Sequence, residues 1–255
     1  MDFQLPAIHI RLMLPELFLF IWALVIIIFD VITRLKNSDT VGYLAMFGVV
    51  VSSCLLAVTG YGEGFGRMFH NDPMALLFKI IFLGAAFMTI GSSFGVLRDK
   101  IVNHRGEFLG LILFSTVGMM FLSSSSELLS LYIGLELTTV PLFVLAGFFK
   151  DDKKSVEAGI KYLVVGAFSS ALLLYGISFL YGMTGTTDIL QMRLALAGKA
   201  LAGMNPNYAQ DPLILIVATI CVLAGIGFKL ALPPFLEEQR AQIEAGLKPI
   251  RVVRS

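Results

Sequence analysis

Three ionisable side chains, Glu136, Lys229 and Lys161, lie inside long apolar stretches of the sequence. A charged group at the centre of a bilayer costs about 2.5–3.5 kcal/mol on insertion scales, so a residue of this kind is a candidate for ion or proton transport. A carboxylate and an ammonium group stabilise each other's charge, and separating them favours release of the lysine proton. These residue types therefore predict proton transfer within a membrane.

Glu136 lies about nine residues into the apolar stretch ELLSLYIGLELTTVPLFVLAGFF. Pro141 follows it and has no amide to donate to the carbonyl of Leu137, so we expect the helix to be loosened beside the carboxylate. The alternative is a protonated glutamic acid that is hydrogen-bonded in a packed core.

Lys229 lies in GIGFKLALPPF, close to the end of the last apolar stretch. Pro233 and Pro234 cannot donate to the carbonyls of Lys229 and Leu230, which predicts a broken helix. A broken helix with a charged group at the break is typical of ion sites in transporters. The alternative is a lysine that snorkels from the end of a span.

Lys161 lies about one turn into its apolar stretch, four residues after Glu157. The spacing is equally consistent with an interfacial ion pair and with a functional lysine. Two further charges lie nearer the ends of their spans. We interpret Lys79 as a snorkelling side chain, and Asp30 as an interfacial partner of Arg34 four residues later.

The composition predicts an all-α integral membrane protein, because 57% of the 255 residues are hydrophobic and only 15% are charged. Seven stretches are long enough to cross a bilayer. Their predicted bounds are 14–33, 41–60, 74–96, 107–125, 128–149, 156–182 and 211–235. Residues 188–203 are shorter and amphipathic, so we expect them to lie along the membrane interface.

The basic residues alternate between the loops. The richer loops follow the first, third and fifth spans, and contain Arg34 and Lys36, then Arg98, Lys100 and Arg105, then Lys150, Lys153 and Lys154. The positive-inside rule therefore places these loops in the cytoplasm and the amino terminus outside.

Other features indicate neither nucleic-acid binding nor a redox centre. The formal net charge is +1 and no block of basic residues is present, so no nucleic-acid partner is expected. Cys54 and Cys221 are isolated, and we interpret both as small core residues. His9, His70 and His104 lack the spacing of a metal or haem site, so no metal site and no cofactor are expected.

Two glycine patterns have structural interpretations. GYGEGFG at 60–66 follows a membrane span with no strand before it, so we interpret it as a loop and not as a phosphate-binding turn. Gly91 and Gly95 have GxxxG spacing, which suggests close helix packing in the third span.

The stretches GLEL, EAGIKYLVVGAFSSA and GFKLALPPF together resemble the antiporter-like subunits of proton-pumping NADH:quinone oxidoreductase, respiratory complex I, and most closely subunit N. The resemblance implies a 14-helix inverted-repeat fold, of which residues 1–235 would be the N-terminal half. It also implies a proton half-channel that uses Glu136, Lys229 and Lys161, in a multi-pass protein of the cell inner membrane. The chain would be a translocase subunit among other membrane subunits and the lipid bilayer, while partner subunits bind NADH, FMN, iron–sulfur clusters and quinone.

Residues 236–255 depart from the family pattern. Where the family continues with histidine, an aromatic residue and PDVYEGAP, this chain has Leu236 and then a charged tail that cannot span a membrane. We expect a frameshift, an insertion or a premature stop at this junction, and a chain that is incomplete as a pump. Two other functions stay open, namely a subunit of a multi-subunit sodium/proton antiporter and a non-transporting membrane remnant or assembly protein.

Overall fold

The computed structural model describes residues 10–33, 38–65, 68–99, 101, 104–197 and 212–230. Seven of the helices in this part of the chain are long and apolar enough to cross a membrane, which confirms the predicted all-α membrane class. They are α1 (Leu14–Thr33), α2 (Ser38–Val58), α3 (Pro73–Asp99), α4 (Arg105–Ser123), α5 (Leu128–Ala146), α6 (Lys153–Thr184) and α8 (Pro212–Lys229). A 3-10 turn (Ile10–Met13) precedes α1, and the short helix α7 (Ile189–Leu196) follows α6.

Helices α1 to α4 pack around one apolar core. Its fully buried members include Leu19 and Ile26 of α1, Val41 of α2, Ile90 of α3 and Leu113 of α4. Asp30 caps this bundle, since its carboxylate accepts the amide of Gly106 at 2.7 Å in the first turn of α4. The described contact of Asp30 is therefore to a helix N-terminus, and its predicted partner Arg34 lies outside the described residues.

A short antiparallel hairpin lies at one end of the bundle, formed by β1 (Gly62–Gly64) and β2 (Phe69–Asn71). The loop predicted at 60–66 is therefore partly strand. The strands have three residues each, too few to show the alternating pattern by which a strand is recognised in a sequence. We call this end of the bundle the hairpin end, and α1, α3 and α5 begin there. The hairpin is joined to the end of α4, where the amide of His70 donates to Ser124 O at 2.8 Å.

Helices α5, α6 and α8 extend the bundle beyond α4: α5 packs on α4 and α6, and α6 packs on α8. Glycines permit these close contacts. A Cβ at Gly118 of α4 would lie 2.4 Å from the amide nitrogen of Thr138 in α5, and one at Gly176 of α6 would lie 2.8 Å from that of Val222 in α8. At these two positions α4 therefore meets α5, and α6 meets α8, backbone to backbone.

Two expectations about packing are wrong. Gly91 and Gly95 are exposed on α3 with no atom within 4 Å of a Cβ built on either, so their GxxxG spacing marks no close contact in the described structure. Cys54 is exposed and Cys221 is half-buried, so neither is a core residue. The physical reason is common to both, because an apolar or small side chain has no need of a protein core when lipid surrounds the helix.

The interfacial segment predicted at 188–203 is helical over Ile189–Leu196. Asp188 caps this helix by accepting the amide of Gln191 at 2.9 Å. The remainder of the predicted segment beyond residue 197 lies outside the described residues, as do Pro233, Pro234 and the charged tail 236–255.

Candidate functional site

Glu136 of α5 and Lys229 of α8 form an ion pair where three helices meet. Lys229 Nζ lies 2.7 Å from Glu136 Oε1, with the lysine side chain 9% exposed and the glutamate side chain 26% exposed. Ser170 of α6 donates its hydroxyl to the same Oε1 atom at 2.5 Å. The carboxylate is thus held by one charged and one neutral donor from two different helices.

The sequence around the pair explains why α8 approaches α6 so closely. Gly225 lies one turn before Lys229, and a Cβ there would lie 2.7 Å from Leu173 Cβ. Ser169 donates to Gly225 O at 2.7 Å and fixes α8 at this height. Two adjacent serines of α6 therefore position the site, since Ser169 holds the backbone before Lys229 and Ser170 holds Glu136.

Pro141 lies inside α5 without breaking it. The helix runs from Leu128 to Ala146 with the buried Pro141 inside it, so the loosening expected beside Glu136 does not amount to a helix break at Pro141. Packing from α4 supports the helix beside this residue, because Gly118 admits the α5 backbone and Ser115 donates to Thr138 O at 3.0 Å. Proline is tolerated in a membrane helix when neighbouring groups supply such support.

Lys161 lies apart from this arrangement. Within the described residues its ionic partner is Glu157, at 2.6 Å, and both side chains are 63% exposed. Together with Lys150 and Lys153 they line an open groove of about 510 Å³ at the end of the bundle opposite the hairpin. The predicted i, i+4 pair is present, but the structure brings Lys161 into contact with neither Glu136 nor Lys229 among the contacts it describes.

A second buried ion pair lies near the hairpin end, and the sequence did not indicate it. Lys79 of α3 is fully buried with its Nζ 2.7 Å from Glu16 Oε1 of α1, and the Glu16 side chain is 2% exposed. The prediction that Lys79 snorkels is therefore wrong. Lys79 lies nearly two turns into α3 and faces the bundle, where its Nζ donates a hydrogen bond to Asn71 Oδ1 at 2.9 Å. Pro73 could have indicated this depth, because proline is common at the first position of a helix and Pro73 is the first residue of α3.

Among the described residues, no three His, Cys, Asp or Glu side chains lie close enough together to hold a metal ion. The described site is a set of carboxylates, amines and hydroxyls, which are groups that bind cations and protons more readily than they hold a redox centre.

Comparisons with known proteins show which class of protein this chain is similar to. Residues 125–237 match the family described as NADH:quinone oxidoreductase/Mrp antiporter, TM. The fold resembles a chain in the structure of respiratory complex I from Thermus thermophilus with bound aureothin, with a TM-score of 0.63 and 25% identity over 87% of this chain and 45% of that chain. A chain of the archaeal membrane-bound sulfane sulfur reductase has the same fold, with a TM-score of 0.64, 17% identity and 83% and 44% coverage. The protein is therefore a helical membrane protein of the antiporter-like class.

Sequence relatives narrow the class. NADH-quinone oxidoreductase subunit N from Trichlorobacter lovleyi is 35% identical over 232 residues, which are 90% of this chain and 46% of that protein. F(420)H(2) dehydrogenase subunit N from Methanosarcina mazei is 35% identical, with 89% and 46% coverage. The chain belongs to the family of NADH-quinone oxidoreductase subunit N. It spans about half the length of the curated relatives it matches.

Proposed function

We propose that this chain transfers protons through the membrane as a subunit of a proton-pumping NADH:quinone oxidoreductase. Glu136 and Lys229 are its proton-transfer pair. The observation that supports this most directly is the 2.7 Å contact between Glu136 Oε1 and Lys229 Nζ inside a bundle of membrane-spanning helices. Membrane-embedded ionisable residues that pair with one another typically belong to ion or proton pathways.

In this proposal the pair acts as a switch between two arrangements, one with Glu136 and Lys229 in contact and one with them apart. The structure has the arrangement in which they are in contact. At an effective dielectric of ~20, opposite unit charges ~4 Å apart attract by about 4 kcal/mol. Movement of α8 away from α5 removes this attraction and leaves a desolvated ammonium group, which favours loss of its proton. Ser170 then still supplies one hydrogen bond to the carboxylate.

Electron transfer takes place in partner subunits that bind NADH, FMN, iron–sulfur clusters and quinone, and this chain receives the energy through its contacts with other membrane subunits. We place the chain in the cell inner membrane with its amino terminus and hairpin end outside. The basic residues Lys150, Lys153 and Lys154, between α5 and the first turn of α6, support that orientation.

Lys161 is a further proton carrier in this proposal, because the resemblance to the family assigns a role to a lysine at its position. Its exposure beside Lys150 and Lys153 makes it accessible from the end of the bundle opposite the hairpin.

A sodium/proton antiporter subunit is the second candidate, since the description of the matching family also names Mrp antiporters. Both functions use a membrane-embedded glutamate and lysine. They differ in the driving force, because only the respiratory subunit couples proton movement to NADH oxidation.

NADH-driven proton uptake into inverted membrane vesicles tests the proposal. The vesicles contain the assembled complex with this chain, and proton uptake is measured per NADH oxidised and per assembled complex. Glu136→Gln and Lys229→Ala should each abolish most of the proton movement due to this subunit, while Glu63→Gln, in the exposed hairpin, should not change it. Normal uptake in both site variants, with normal assembly, would show that the chain is a non-transporting component.

Proton uptake that depends on a sodium gradient and not on NADH oxidation would assign the chain to the antiporters instead.

A further inference from the structure

An open groove lies at the end of the bundle opposite the hairpin, beside the loop that follows α5 and the first turns of α6. Its volume is about 510 Å³, and we call it the lysine groove. Its lining combines three amines and one carboxylate with two apolar side chains, from Lys150, Lys153, Val156, Glu157, Ile160 and Lys161.

The positive charges of the lysine groove are only partly neutralised. Lys161 Nζ lies 2.6 Å from Glu157 Oε1, so these two charges are paired with each other. Lys150 and Lys153 are both exposed, and none of the ion pairs among the described residues includes either of them. The lysine groove therefore has two ammonium groups to offer to an anion.

The acidic residues of the neighbouring loop do not cancel these charges within the groove. Asp152 accepts the amide of Lys154 at 3.0 Å and so caps the start of α6. Asp151 is exposed, and neither it nor Asp152 lines the groove.

The loop is packed closely against α6. Ser155 donates to Ala146 O at 2.8 Å and accepts the amide of Phe149 at 3.3 Å. A Cβ at Gly159 of α6 would lie 2.7 Å from the Cα of Gly147, so the two backbones are in contact. The lysine groove is therefore formed on a fixed turn, which positions the lysine that follows Phe149.

An apolar surface continues from the lysine groove along the membrane-spanning part of α6. Ile160 and Leu163 are three residues apart and share a face of the helix, and they are 58% and 50% exposed. Basic residues in a loop indicate by themselves only the orientation of a membrane protein. A basic groove that is continuous with an exposed apolar face is complementary to a molecule with an anionic head and hydrocarbon chains.

We propose that the lysine groove binds an anionic phospholipid. The phosphate group is held by Lys150 and Lys153, and the acyl chains lie along Ile160 and Leu163 of α6. Basic pockets at the cytoplasmic ends of membrane helices bind anionic headgroups in this way. This site does not depend on the proton transfer proposed above.

Photo-crosslinking in membranes that contain the assembled complex tests this proposal. The two probes are phosphatidylglycerol and phosphatidylcholine, each with a diazirine on one acyl chain and each added as a minor fraction of the total lipid. Mass spectrometry of the peptides then locates the crosslinks on α6. Phosphatidylcholine has the same acyl chains but no net charge, so it reports the contact that lipid makes with any exposed helix face.

We expect phosphatidylglycerol to label residues 156–164 more strongly than phosphatidylcholine does. Lys150→Gln/Lys153→Gln should lower this labelling by about fivefold for each lysine replaced, which is the contribution of one basic residue near a membrane surface. Lys150→Arg/Lys153→Arg should retain it. The matched control is Lys154→Gln/Arg193→Gln, which removes two exposed positive charges that do not line the lysine groove and should leave the labelling unchanged.

Equal labelling of the wild type by the two lipids would overturn the proposal, because the groove would then have no preference for negative charge. Absence of labelling by either lipid would also overturn it, and would mean that protein covers the groove in the assembled complex. Unchanged labelling in Lys150→Gln/Lys153→Gln would show that these lysines do not hold the phosphate. The first two results are obtained from the wild-type chain, so the test does not require a variant to assemble.

Discussion

Ser170 donates its hydroxyl to Glu136 Oε1, the same oxygen atom that contacts Lys229 Nζ. The preceding residue, Ser169, donates to Gly225 O on α8. Successive residues of a helix point about 100° apart, which lets one serine face α5 while its neighbour faces α8. Helix α6 therefore sets the geometry of a pair to which it contributes no charge.

Removal of the Ser170 hydroxyl should impair proton transfer without affecting assembly. A hydrogen bond to a charged group contributes about 1.5–3 kcal/mol, and loss of about 1.4 kcal/mol changes a rate by about tenfold. We expect Ser170→Ala to lower NADH-driven proton uptake per assembled complex by about tenfold. Uptake equal to that of the wild type would mean that the hydroxyl does not stabilise the carboxylate during turnover.

Thr219→Val is the matched control for this variant, since it removes a hydroxyl of α8 whose described hydrogen bond is to Leu215 O in the same helix. Its proton uptake per assembled complex should equal that of the wild type.

Gly225→Ala should weaken the packing of α8 on α6 and displace Lys229. The new Cβ would lie 2.7 Å from Leu173 Cβ and 2.9 Å from its Cα, so the helices must separate. Overpacking of this kind costs about 1–3 kcal/mol. Retention of the chain in the purified complex after heating measures the loss, and proton uptake should fall with it.

Gly91→Ala provides the comparison, because the same substitution on α3 meets no atom within 4 Å. Its stability should equal that of the wild type or exceed it, since alanine favours a helix over glycine by up to about 1 kcal/mol. Equal destabilisation by both substitutions would contradict the described contact between α6 and α8.

The fold class and the spans follow from the sequence because a bilayer requires long apolar helices and little else competes with that signal. The predicted first span, 14–33, coincides with Leu14–Thr33, and the other predicted bounds within the described residues differ from the helices by at most three residues. The predicted end at 235 lies outside the described residues. The packing could not be predicted in the same way. Apolar residues face lipid as readily as a core, so Gly91, Gly95 and Cys54 gave no reliable indication of which face is buried.

The sequence indicated only part of the candidate site, for a related reason. Glu136 and Lys229 stand out because charges are costly in apolar spans, whereas a serine such as Ser170 is unremarkable in a membrane helix. Glu16 and Lys79 lie close to the ends of their helices, where charges usually reach the interface. Their burial depends on the hairpin, which covers that end of the bundle and supplies Asn71 and Phe69.

Lys161→Ala tests the family-based role of that lysine against a surface ion pair. If Lys161 carries protons, its loss should lower proton uptake, while Glu157→Gln should leave uptake and stability unchanged because the pair is largely exposed. Lys154→Ala is the control, since it removes an exposed lysine from the first turn of the same helix. Equal proton uptake in all three variants would restrict Lys161 to the interfacial ion pair.

The proposed orientation predicts which side of the membrane each end of the bundle faces. With Cys54 and Cys221 replaced by alanine, single cysteines are introduced at Glu63 in the hairpin and at Lys150 between α5 and α6, both of which are exposed. A membrane-impermeant maleimide should label Glu63→Cys in intact spheroplasts and Lys150→Cys in inverted vesicles, because the basic loops stay in the cytoplasm. The reverse pattern would place the hairpin end in the cytoplasm and the loop between α5 and α6 outside.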